Sequence, residues 1–418
     1  MLKVQQSFYF KILNYISQYL NEIPIKIKEI IIQGAYLTTL VVYILNCDIY
    51  QFTFKTRNII YICCLLVIAI CVYKKNDTLI QIRKGIVIPM YIIGIGALFA
   101  GIIHSMLGYI MYAFVYLLLL PFVIIALANI DKKKFFRIIS KTTLLFFIII
   151  VLCSVFFKPI TDEPYASFFY DPNSLGLVCI CAVISGFYLM NTDKKYIYLV
   201  FIAIAIIYTF FSGSRTAQIV ICLIFAIQII FLLKYNKKKT LIALIAIAAV
   251  AFLTLLVVLI YNKSLGGFSS GRIYIWDSTI KQINIWGHGT ELVNHTNYFA
   301  RPMYIHNGVL QIGYSMGIIP LIGFSVLILY NIGVAFKEIF KTNLENNIIF
   351  YIYIVCSFSI YTLLYSMYSP FGDPLSFMYY IIILTFSSVN LKENDYSINE
   401  VSSPLRKLFS KFKDDKKV

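Results

Sequence analysis

Residues 107–128, LGYIMYAFVYLLLLPFVIIALA, carry no charged side chain. A helix of that length spans about 33 Å, enough to cross the roughly 30 Å hydrocarbon core of a bilayer. Backbone polar groups find no water in that core and must bond within the segment, so the run reads as a membrane-spanning helix rather than a strand. The rest of the 418-residue chain shares this signature: 60% hydrophobic and 17% aromatic residues against 13% charged, with a mean hydropathy of +0.82. A soluble domain of this size would not have that composition.

Apolar runs separated by charged breaks predict an all-α polytopic membrane protein of about twelve helices. They lie near residues 30–49, 58–73, 86–103, 107–128, 142–157, 174–190, 197–212, 217–233, 240–261, 308–335, 348–368 and 375–390. The formal net charge of +17 is distributed unevenly. With the N-terminus placed inside, inner breaks hold 28 of the 36 Lys and Arg residues and outer breaks hold 8. This asymmetry puts both termini in the cytoplasm and the 262–307 loop outside. It also explains the basic balance without nucleic acid as a partner.

Three regions follow: a cytoplasmic segment at 1–29, a multi-span domain at 30–390 with its outer loop, and a basic cytoplasmic tail at 391–418. In the tail, Pro404–Lys413 alternates Leu and Phe with Arg and Lys, a spacing that suits either a helix on an anionic leaflet or a solvated tail. No cleaved signal peptide is expected, because residues 1–29 lack a short apolar core followed by a cleavage site. The nine cysteines fall in or beside apolar runs without CxxC spacing, and read as small buried hydrophobes rather than metal ligands or disulfides.

Polar chemistry concentrates in the outer breaks. The 262–307 loop holds both tryptophans, Trp276 and Trp286, and three of the four histidines, His288, His295 and His306. Asp171-Pro172-Asn173-Ser174 precedes the sixth span, where Asp171 or Asn173 either caps the helix or lines a substrate entrance. Gly213-Ser214-Arg215-Thr216 forms the whole connection between the seventh and eighth spans. An arginine at a hydrocarbon edge is costly unless it snorkels or meets an anion. Within the loop, Arg272 is a second candidate for binding phosphate. Trp276 either stacks on a sugar or belongs, with Ile273 and Ile280, to the apolar side of a surface helix. His306 precedes Asn307 and Gly308 where the chain re-enters the membrane, and a neutral imidazole there could take a proton from a hydroxyl.

Two guanidinium forks suit a pyrophosphate, which they can hold bidentately where lysine offers a point charge. Joined to a histidine base, they suit glycosyl transfer from a polyprenyl-pyrophosphate sugar. No outer motif demands a metal, and no cofactor is expected.

These residues resemble the bacterial O-antigen ligase and polysaccharide polymerase (Wzy-type) superfamily. The likeness rests on Asp171-Pro172-Asn173, on Gly213-Ser214-Arg215-Thr216, and on the long loop with Arg272 and Trp276. It extends to Ile285-Trp286-Gly287-His288-Gly289 and to His306-Asn307-Gly308 through Pro320, where the family pattern has a glycine. The resemblance covers roughly residues 165–335. It implies a metal-independent inverting transferase in the bacterial plasma membrane, its site facing outside, acting on a lipid-linked oligosaccharide. Arg215 and Arg272 would bind pyrophosphate and His306 would be the base. Asp171, Asn173, Trp276, His288, Arg301, Tyr304 and Asn307 would support the substrate. Besides membrane lipids, the partners it implies are a flippase and a chain-length regulator.

Ile, Lys and Asn richness fits an AT-rich genome and favours a capsular or exopolysaccharide polymerase over a ligase that moves glycan to another acceptor. A lipid-linked oligosaccharide flippase ranks lower, since transporters place ionisable groups near the bilayer midplane, whereas here they sit at the outer rim.

Overall fold

The computed structural model describes residues 2–3, 15, 22–45, 54–73, 80–160, 164–169, 171–234, 272–289, 305–341, 344–365, 369–370 and 373–390. The expected span at 240–261, the tail at 391–418, and Arg301, Tyr304 and His295 lie outside these residues.

In chain order the helices are α1 (Ile25–Leu45), α2 (Phe54–Val72), α3 (Lys84–Ile103), α4 (Leu107–Leu127), α5 (Lys132–Phe157), α6 (Pro172–Asp193), α7 (Tyr198–Ser212) and α8 (Arg215–Lys234). There follow α9 (Arg272–Gln282), α10 (Gly308–Met316), α11 (Ile318–Ile339), α12 (Asn346–Leu364) and α13 (Pro374–Ser387). Among the described residues, eight helices are long and apolar enough to cross a membrane, and Thr56–Val72, Tyr198–Ser212 and Pro374–Ser387 are shorter apolar helices. The protein is therefore a polytopic all-α membrane protein, as its sequence predicts. One small antiparallel sheet accompanies the helices, with β1 (Leu2–Lys3), β2 (Ile80–Ile82) and β3 (Ser388–Asn390) in the order β1-β2-β3.

Burial ranks the helices. In α6, 94% of the apolar window is enclosed, and α13 is buried almost throughout, so these two form the centre. A helix that is apolar on every side needs such a position. By contrast only 39% of the α11 window and 33% of the α1 window are enclosed, leaving broad apolar faces outward.

Since lipid is as apolar as a leucine side chain, helix contacts rely on close packing and polar links. Tyr36 on α1 hydrogen-bonds Thr143 on α5 at 3.0 Å. Asn191 on α6 and Gln228 on α8 exchange two amide hydrogen bonds, of 3.1 and 3.2 Å, and the Tyr353 hydroxyl on α12 donates to Gln228 Oε1. In α4 a π-helical turn at Val115–Leu119 precedes Pro121, whose missing N–H is absorbed where the ladder shifts register.

The two ends of the bundle differ. One carries the small sheet and the ion pairs Lys134–Glu29 (2.5 Å) and Arg137–Asp193 (3.0 Å). Here α5 begins at Lys132, well ahead of the expected 142, because Asp131 caps it by accepting the Lys134 amide. Its charged first turns were too polar to read as span. The opposite end gathers the starts of α6, α8, α10 and α13.

The single span expected at 308–335 is two helices. Gly317 breaks it, at φ +95°. The turn at 284–289 docks across that break: Ile318 N donates to Asn284 O (3.2 Å), His288 N to Tyr314 O (2.8 Å) and Gly289 N to Ser315 O (3.0 Å). A Cβ on Gly317 would stand 2.1 Å from the Ile285 carbonyl oxygen. Unbroken hydropathy hid the joint.

Gly317→Ala should therefore lower stability by at least about 2 kcal/mol, from the strained backbone and the collision together. Thermal unfolding in detergent measures it. A Cβ on Gly34 in α1 meets nothing within 4 Å, so Gly34→Ala should be neutral or stabilising by up to about 1 kcal/mol. Equal behaviour of the two variants would contradict the docked joint.

Candidate functional site

Asp171 opens α6 in an extended conformation, and its carboxylate accepts four hydrogen bonds. Oδ1 accepts the amides of Asn173 (2.8 Å) and Ser174 (3.2 Å). Oδ2 accepts the Ser174 hydroxyl (2.8 Å) and the Tyr365 hydroxyl (3.1 Å), the latter from the end of α12. A carboxylate has about four lone-pair sites, so these bonds occupy its acceptor capacity. Of the two readings open in the sequence, capping is what its contacts describe.

Asn173 ties α6 to α8. Its Oδ1 accepts the Ser214 hydroxyl at 2.9 Å, and its carbonyl accepts the Tyr361 hydroxyl at 2.7 Å. Gly176 permits the approach, since a Cβ there would meet Ser214 and Ala217 at 2.9 and 2.8 Å. Ser214 precedes α8, which Arg215 begins. The connection expected at residues 213–216 is only Gly213-Ser214, since Arg215 and Thr216 already belong to α8, and it places Arg215 beside the start of α6.

Arg272 begins α9, and its Nη1 donates to the Leu364 carbonyl at 2.8 Å. That carbonyl lies in the last turn of α12, where helical carbonyls lack intrahelical partners and the helix dipole is negative. One residue on, the Tyr365 carbonyl accepts the Gly308 amide at 3.1 Å. Asn307 caps α10 by accepting the Leu310 amide at 3.0 Å. His306 stands before this cap with φ +50°, a left-handed conformation uncommon outside glycine. Its ring lies 6.2 Å from that of Tyr365. Trp276, on α9, donates its indole N–H to the Ile305 carbonyl at 3.0 Å and so braces the segment that carries His306.

The electrostatics follow from burial and crowding. The Arg272 guanidinium is pushed below its ordinary value, chiefly by burial, with a contribution from the nearby positive charge of Arg215 and opposition from Tyr361 and Tyr365. His306 is also lowered, first by burial and then by Arg272, with Asp171 pulling the other way. At neutral pH the imidazole is therefore uncharged and able to accept a proton. Two guanidiniums crowded beside a neutral imidazole form an environment that a bound anion would relieve.

Asp171, Asn173, Arg215, Arg272, His306 and Asn307 thus occupy linked helix ends, with Trp276 bracing the 305–306 segment from within α9. His288 is held elsewhere, with its ring stacked on Tyr314 (4.5 Å between centroids) and Nε2 2.6 Å from the Gln282 carbonyl. It belongs to the turn docked across Gly317. On α9, Ile273 and Ile280 face outward while Ile275 is buried and Trp276 turns toward Ile305.

Sequence reading missed Tyr361, Tyr365 and Asp373. The tyrosines looked like ordinary span residues, although their spacing of four puts them on one helix face. Asp373-Pro374-Leu375-Ser376 repeats the Asp-Pro-x-Ser pattern of residues 171–174. Asp373 caps α13 through the Ser376 amide (2.7 Å) and hydroxyl (2.5 Å), and burial raises its carboxyl to about 6.

Among known proteins, residues 197–325 match the family model described as O-Antigen ligase. The matched stretch runs from α7 into α11 and includes Arg215, Arg272 and His306. No curated protein and no solved structure matches the chain. The match bears out the resemblance to the O-antigen ligase and Wzy-type superfamily, and at family level it supports glycan transfer of the ligase or polymerase type.

If Asp171 acts as a cap, Asp171→Ala should cost about 1–2 kcal/mol of stability, whereas Asp171→Asn should retain most of it. Apparent unfolding midpoints in detergent compare them. An alanine variant as stable as the parent would refute the capping account.

Proposed function

We propose that the protein is a polysaccharide polymerase of the plasma membrane, joining oligosaccharide repeat units carried on polyprenyl pyrophosphate. The observation that carries this reading is the pairing of Arg215 with Arg272 beside an imidazole whose affinity for protons is depressed. An acceptor sugar hydroxyl attacks the anomeric carbon of the donor. As the new C–O bond forms, His306 takes the hydroxyl proton, and the bond from the anomeric carbon to the pyrophosphate oxygen breaks on the opposite face. The configuration inverts, and the lipid pyrophosphate leaves with its negative charge against the two guanidiniums. Charge developing on the leaving group is what such preorganised donors stabilise. Nothing in this sequence of bonds calls on a metal or a cofactor.

The uneven division of Lys and Arg between the breaks supports a site on the outer face. A lipid-linked donor needs no nucleotide there. The asymmetry likewise supports cytoplasmic termini. Flippases and chain-length regulators are the proteins such an enzyme would work beside.

A second reading has its own support in the description of the matched family, O-Antigen ligase. A ligase would use the same donor chemistry but pass the glycan to a different acceptor. Glycan profiles of a deletion strain separate the two: polymerase loss leaves single repeat units, and ligase loss leaves long unattached chains.

Arg215→Ala and Arg272→Ala should each reduce chain growth by about a hundredfold or more, at unchanged levels of membrane protein. Arg272→Lys should recover little, because the fork that both reaches the Leu364 carbonyl and grips phosphate is gone. Normal chain lengths from both alanine variants would rule out the clamp.

For His306 the sign is fixed by the direction of its shift. A base works only when unprotonated, so turnover should hold through neutrality and fall with acid at a midpoint below the ordinary histidine value of about 6.5. Rates of the purified protein on lipid-linked repeat units, measured across pH, test this. His306→Ala should abolish turnover along with the acid limb.

A further inference from the structure

The end of α12 meets the start of α6, the start of α9 and the turn before α10. The Leu364 carbonyl receives Arg272 Nη1 at 2.8 Å. The Tyr365 carbonyl receives the Gly308 amide at 3.1 Å, two residues from His306. The Tyr365 hydroxyl donates to Asp171 Oδ2 at 3.1 Å, and its ring faces that of His306 at 6.2 Å. A ring contact with Tyr361 (5.6 Å) braces the Tyr365 side chain from one turn below, and the Tyr361 hydroxyl is in turn fixed to the Asn173 carbonyl. None of this requires the side chain of Tyr365 to touch a substrate.

We propose that Tyr365 is the positioning residue of this site, its hydroxyl fixing the Asp171 carboxylate and its carbonyl seating the 306–308 turn. Through these two bonds it sets the electrostatic balance at His306 and the place of that ring relative to the arginines. The proposal rests on His306 serving as the base.

Arg272 from α9 and Asp171 from the start of α6 act on His306, with the Tyr365 phenol alongside from the end of α12. Arg272 favours the neutral imidazole and Asp171 favours the protonated one. A hydrogen bond from Tyr365 disperses part of the Asp171 charge. Removing the hydroxyl while keeping the ring leaves Asp171 a stronger anion, so His306 binds its proton more tightly. Activity that needs neutral His306 then fails at a higher pH than in the parent.

The test is the pH–rate profile of the full chain, purified in detergent, with lipid-linked repeat units as substrate. Tyr365→Phe should move the acid limb upward by about half a pH unit and lower kcat by about three- to tenfold, with KM for the donor unchanged. In an Asp171→Asn background the same substitution should no longer move the limb, because the charge it acts through is gone. A limb that stays in place on Tyr365→Phe, or one that still moves in the Asp171→Asn background, overturns the proposal. Should Tyr365→Phe fail to accumulate, Asp171→Asn alone reads the contact from its other end. It should shift the limb downward, and no shift overturns the proposal. Failure of the base reading looks different: the parent profile would be flat in acid and His306→Ala would retain turnover.

Discussion

A helix cannot satisfy the backbone groups at its own ends, and in this protein that shortfall organises the candidate site. Four helices, α6, α8, α10 and α13, begin at one end of the bundle, and α12 finishes there. Each start leaves amides exposed and each finish leaves carbonyls. Asp171, Asn307 and Asp373 close three of the starts, while the carbonyls of Leu364 and Tyr365 take up Arg272 and the Gly308 amide. At the edge of a membrane these links have little competition from bulk water, so they fix position as well as pairing. The side chains that suit anion binding and proton transfer sit on or beside the residues that close the helices.

Crowding of positive charge is the cost of that arrangement. Arg215 and Arg272 disfavour one another, and Arg272 disfavours a proton on His306. Asp171 offers a compensating charge, yet its acceptor positions are filled by two amides and two hydroxyls. It therefore tempers the field without competing for a ligand. A pyrophosphate would find donors already gathered, and a proton would find an imidazole kept unprotonated by its surroundings.

Much of this was open to reading from residues alone, because hydropathy and charge are one-dimensional signals. Uncharged runs such as 107–128 and 174–190 lie within helices near the expected places, and Arg215, Arg272 and His306 stood out as polar residues in a greasy chain. What escaped was whatever depends on a single backbone angle or on distant neighbours. Gly317 divides an unbroken apolar run through one positive φ, which no window of hydropathy registers. Tyr365 gains its place from partners 194 residues away in sequence and from Gly308. His288, prominent as one of four histidines, turned out to be committed to Tyr314 and the Gln282 carbonyl. The repeated Asp-Pro-x-Ser pattern at 171 and 373 was visible, but only its shared location gives the repetition meaning.

The docked turn at 284–289 has a mechanical side. Helix α9 is anchored at both extremities: at its start Arg272 grips the end of α12, and past its finish the turn is bonded across the α10–α11 joint. A strut pinned at two points to separate parts of a bundle has little freedom to swing. Any relative shift of α9, the end of α12 and the α10–α11 joint would first have to break these bonds.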